Sequence, residues 1–168
     1  MLHKNTITLN YFGGKTDEGL DPIVLSEAIA GFTRLAQKSM AVEFGDTPPF
    51  SLRIKRVSEG SVNPEFIFQI VELVNQADEV MSFFLTVSDL IKQSVLLSKH
   101  LNGHPPKRRE LDGQGNVSIT NGDGDVHVFN INAEHLTLNM GGAKDAEQFV
   151  RAPLQNDADS FSITPTVG

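Results

Sequence analysis

From Gln76 to Leu101 the sequence runs without a glycine or a proline, and its apolar residues return every three or four positions. Val80, Phe83, Phe84, Val87, Leu90, Ile91 and Leu97 keep the helical period, which predicts one long helix with a buried stripe. Asn102-Gly103 suits its end, and Pro105-Pro106 cannot continue it. Met81, Leu85, Val95 and Leu96 lie beside or behind that stripe, so the helix is apolar over more than half its circumference. A two-layer sandwich buries only one helical face. The surplus needs a cover, either the C-terminal part of the chain or another protein surface. These four residues are the candidate interface.

The segments upstream define what the helix packs on. Asn5–Phe12 alternates Ile7, Leu9 and Tyr11 with Thr6, Thr8 and Asn10, then meets Gly13-Gly14, which predicts a strand closing in a turn. Asp21-Pro22 offers a capping carboxylate followed by a proline suited to the first helical position. Leu25, Ala28, Ile29, Phe32, Leu35, Ala36 and Met40 then form a second helical stripe, ending near Phe44-Gly45. Phe50, Leu52 and Ile54 alternate with Ser51, Arg53 and Lys55 as a half-buried strand, and Phe66–Val74 is apolar on both faces. The two are expected to pair as an antiparallel hairpin. The predicted class is α+β: two helices on an antiparallel sheet, in the βαββα order of a split βαβ, ferredoxin-like sandwich, followed by a β-hairpin.

Charge divides the chain at its prolines. The total is −7, yet residues 1–109 hold 12 basic and 12 acidic side chains; Lys144 and Arg151 face nine acids beyond them. The expected organisation is a packed domain over 1–104 and a Pro/Gly/charged joint over 105–115. A β-hairpin or small β extension is expected over 116–140, with a short helix and frayed acidic tail over 141–168. Asn121-Gly122-Asp123-Gly124-Asp125 tolerates positive φ between Val117–Thr120 and Val126–Ile131, a hairpin pattern. Leu136-Thr137-Leu138 is expected to add a short strand, and Lys144–Arg151 two helical turns.

The motifs that carry chemistry are incomplete. A calcium loop starting at Asn121 would need glycine at its sixth position and a bidentate glutamate at its twelfth; the chain has Val126 and Asn132 there. Gly13-Gly14-Lys15-Thr16 lacks the earlier glycine of a phosphate loop, whose place is taken by Leu9. His3, His100, His104, His127 and His135 have no zinc-binding frame, and the chain has no cysteine. This excludes disulfide scaffolds, thiolate metal sites and cysteine nucleophiles, and no cofactor or metal is expected. Lys107-Arg108-Arg109 is the densest basic run and, with Arg53 and Arg56, the candidate for binding an anion. Its footprint is small and no aromatic platform accompanies it, so nucleic acid is not an expected partner.

No motif is specific enough to indicate a family. The expected function is a non-catalytic interaction or self-assembly module, with a second copy or another protein as partner. It is read as the N-terminal part of a longer bacterial or phage-borne protein. A cytoplasmic location is expected, since Met1–Thr8 is polar and the longest apolar stretch, Val80–Ser88, ends at Asp89, short of a membrane span. The alternatives are a regulatory domain for a small anionic ligand or nucleotide, and an enzyme whose groups meet only in the fold, with His127, His135 and Asp125 as its candidates.

Overall fold

In the computed structural model, residues 5–14, 21–46, 50–55, 64–70, 77–156 and 158–167 are described. Strand β1 (Asn5–Phe12) is followed by helix α1 (Pro22–Phe44), strands β2 (Phe50–Ile54) and β3 (Glu65–Ile70), and helix α2 (Ala77–Leu101). Asp21 caps α1 by accepting from the amides of Ile23 and Val24, and Gly45 ends it at φ 67°. The β1 residues Ile7, Leu9 and Tyr11 are buried and share one sheet face with Phe50, Phe66 and Phe68. Phe32 of α1 stacks on Phe66, and Phe84 of α2 meets both Phe50 and Phe68. The phenylalanines therefore form the seam between sheet and helices, each contributing about 1.5–3 kcal/mol when fully buried.

The class is α+β, as the residue pattern predicts. Strand order in the main sheet is β2-β3-β1 and then the C-terminal strand β7 (Ser160–Thr166), antiparallel throughout, so β3 separates β1 from β2 in a split βαβ. The edge strand β7 comes from the segment expected to be a frayed tail. It pairs with β1 from Thr6↔Thr166 to Phe12↔Ser160. Phe161, Ile163 and Pro165 are half-buried and alternate with exposed Ser and Thr, a weak period-two pattern that a free edge on β1 stabilises. Pro165 is tolerated because β7 is an edge.

A second sheet stands on the end of α2. Strands β4 (Arg108–Leu111), β5 (Asn116–Thr120) and β6 (Val126–Asn130) form an antiparallel meander, so part of the expected joint is a strand. Its core pairs Val117, Ile119 and Phe129 with Leu97 and Leu101 of α2. The 121–125 turn forms as expected: the Asn121 side-chain oxygen accepts from the amides of Asp123 and Asp125, and Gly124 sits at φ 87°.

Beyond β6 the chain turns helical. A short α3 (Ile131–Glu134) continues into a π-helical turn, His135–Asn139. The strand expected at Leu136–Leu138 is thus corrected to helix: the Thr137 hydroxyl donates to Ala133 O and bonds Ser94 of α2. Then α4 (Gly142–Ala146), the π-helical Glu147–Arg151 and α5 (Ala152–Asn156) follow, where two helical turns were expected. α4 packs against both α1 and α2. Asp145 is buried, accepting from Arg34 Nε at 3.1 Å and Lys38 Nζ at 2.5 Å. The Tyr11 hydroxyl donates to Phe149 O at 2.5 Å, and burial raises its pKa above the ordinary phenol value. Ala133, Leu136, Ala146, Phe149 and Ala158 join the main core, which therefore draws on both sides of the Pro105-Pro106 joint.

The approach of α4 to α1 depends on Gly31. A Cβ there would lie 2.7 Å from Asp145 O and 2.8 Å from Gln148 Cβ. Alanine normally gains about 1 kcal/mol over glycine within a helix. Gly31→Ala is expected to reverse that sign and lower unfolding free energy by about 1–3 kcal/mol through overpacking, read by urea denaturation.

Candidate functional site

The face of α2 turned away from both cores is the most distinctive surface. Val80, Phe84, Val87, Leu90, Ile91, Leu97 and Leu101 are buried. By contrast Met81, Leu85 and Leu96 are 41%, 46% and 57% exposed. Val95, the fourth candidate, is partly buried against the main core and borders the exposed face without belonging to it. Eleven residues make about three helical turns, which sets Leu85 and Leu96 on one line. Between them on that line lie Asp89, exposed, and Lys92, half-buried; Lys99 extends it. Asp89 accepts from Gln93 Nε2 at 2.6 Å, and Lys92 makes no ion pair among the described residues.

An open groove of about 780 Å³ runs beside the C-terminal half of this face. Val95 and Leu96 line one side, Val150 and Leu154 the other, and Phe161 and Ile163 of β7 also contribute. Lys92, Lys99 and Arg151 border it together with Glu147 and Asp159, so its charge is mixed. Val80–Leu101 is the one helix among the described residues long and apolar enough to cross a membrane. The core helix of a folded domain passes the same test, and the buried side chains of α2 fill two protein cores.

The basic residues singled out in the sequence are not gathered on one element. Arg53 is on β2 of the main sheet, whereas Arg108 and Arg109 are on β4 of the other sheet. Lys107 precedes β4 and donates its amide to Thr120 O, and Arg56 lies outside the described residues. Arg109 makes a two-pronged ion pair with Glu134 at 2.8 and 2.7 Å, whose hydrogen bond raises the guanidinium pKa above its ordinary value. Arg108 lies 3.7 Å from Glu110. Gly14 of the glycine turn donates its amide to Asp159 Oδ2, while Lys15 and Thr16 are outside the described residues.

The histidines are arranged in a way that sequence spacing does not reveal. His127 packs edge-on against His100, ring centroids 4.7 Å apart, and lies near Phe129. His100 Nε2 is 2.9 Å from Ile119 O, tying the end of α2 to β5. His135 instead meets the Asn139 side chain at 3.0 Å. Among the described residues no three His, Asp or Glu side chains gather closely enough to hold a metal ion.

Through its pair with Arg109, the Glu134 carboxylate fastens β4 to α3. Glu134→Gln is expected to speed amide hydrogen exchange across β4 and β5 by roughly fivefold, with the main-sheet amides unchanged. Searches of protein-family models, curated proteins and solved structures return no match to this chain.

Proposed function

We propose that this chain is a self-assembly module whose contact surface is the outward face of α2. The observation that carries this reading is the exposure of Met81, Leu85 and Leu96 on a helix otherwise occupied with two cores. Apolar side chains in solvent, rimmed by polar residues, are the kind of surface that a protein contact covers. The strand order supports reading the main body as a ferredoxin-like sandwich, a fold that hosts many functions and selects none. The absence of cysteine fits a reducing, cytoplasmic setting.

The size of the effect sets the kind of assembly. Fully burying one such side chain contributes about 1.5–3 kcal/mol, and these are already about half buried. Three from each of two chains then supply about 4–9 kcal/mol gross, against an association cost of about 4–15 kcal/mol. The apolar contact alone therefore gives a weak complex, and polar contacts around it must set the geometry. Leu85 and Leu96 are exposed, so replacing both by Glu alters no residue of either core. The double variant is expected to keep the wild-type circular dichroism and melting temperature while its light-scattering mass falls from an assembly to the 18.4 kDa monomer. An assembled mass unchanged by the substitutions would refute the reading.

A further inference from the structure

We propose that two copies of this chain pair through α2 in antiparallel orientation, about a two-fold axis between Leu90 and Ile91. This rests on the self-assembly reading and adds the register. The outward line on α2, exposed except for half-buried Lys92, has the 4-3-4-3 spacing of a coiled-coil seam: Leu85, Asp89, Lys92, Leu96, Lys99. A two-fold contact is self-complementary, so residue i meets residue j and j meets i. About that axis Leu85 meets Leu96 of the second copy, and Asp89 meets its Lys92. Each contact occurs twice. Two apolar pairs thus flank two opposite-charge pairs, and Ser82, also exposed, faces Lys99.

Charge selects this orientation over the parallel one. Side by side in parallel register, Asp89 would face Asp89 and Lys92 would face Lys92, two like-charge contacts at the centre of the seam. Like charges directly opposed penalise the wrong pairing, whereas the antiparallel register satisfies every charge at that centre. The groove beside Leu96 supplies room: Val95 and Val150 give the Leu85 of the second copy an apolar floor. Lys92, which makes no ion pair among the described residues, gains Asp89 of the second copy as its partner.

Charge reversal tests the register on the full chain by sedimentation velocity over a concentration series. Asp89→Lys and Lys92→Asp each place two like-charge pairs in the seam. Each alone is expected to raise the dimer dissociation constant at least about tenfold. The double reversal restores both pairs and should dimerise like the wild type. Mixing the two single variants should give a heterodimer tighter than either homodimer, which also shows that neither variant is misfolded. If the wild type dimerises and Leu85→Glu disrupts it but charge reversal does not, the register is overturned while self-association through α2 stands. If the dimer survives Leu85→Glu as well, or the wild type remains monomeric at high concentration, both readings fall.

Discussion

Asp145 is a carboxylate buried against α1, with Arg34 and Lys38 each taking one of its oxygens, and the rest of the chain depends on that attachment. Removing a carboxylate from water is costly, and two cations that are themselves partly solvated offset the cost. The pair therefore matters less for net stability than for position. Gly31 lets α4 approach closely enough for the ion pairs to form, and a Cβ on Gly142 would lie 2.6 Å from Leu136 O and 3.1 Å from Leu35 Cδ1. With residues 142–156 held there, Phe149 reaches Phe32 and its carbonyl accepts from Tyr11. The chain is then aimed so that Ser160–Thr166 runs along the free edge of β1.

This closure explains why α2 has a face to spare. Residues 142–156 pack largely on α1 and the second sheet seats on the last turns of α2, so neither covers the line from Met81 to Leu96. The C-terminal segments were one of two candidate covers for the surplus apolar surface. They account for Leu97, Leu101 and part of the surroundings of Val95, and leave Met81, Leu85 and Leu96 in solvent. An apolar line interrupted at its centre by one acid and one base is suited to a specific contact, because the charges penalise wrong alignments that the leucines alone would accept.

Strong periodicity made the first five elements legible. The stripe of α1, the alternation of β2 and the length of α2 each follow from residues that must be buried, and Asp21-Pro22 marks its helix start by its own chemistry. The elements that misled have weak local signals decided by distant partners. Phe161, Ile163 and Pro165 alternate correctly, but only the exposed edge of β1 makes Ser160–Thr166 a strand. Leu136-Thr137-Leu138 alternates too, yet three residues fit either period, and the Thr137 hydroxyl is satisfied within a helix and against Ser94. At the candidate site, Met81, Leu85 and Leu96 were legible because helical geometry alone separates them from the buried stripe. Val95 was not, since its burial comes from the main core. The His100–His127 contact depends on how the hairpin seats on α2, which spacing along the chain does not encode.

The geometry of the α2 contact is open to a direct measurement, because the chain contains no cysteine. One preparation carries Leu85→Cys and a second carries Leu96→Cys. In the antiparallel pairing these positions face each other, whereas two copies of position 85 lie about 16 Å apart along the seam, well beyond disulfide reach. Mild oxidation of the mixture should yield a disulfide-linked heterodimer on a non-reducing gel, with little product from Leu85→Cys alone. A Leu85→Cys homodimer formed as efficiently as the mixed species, or no cross-link in the mixture, would contradict the account.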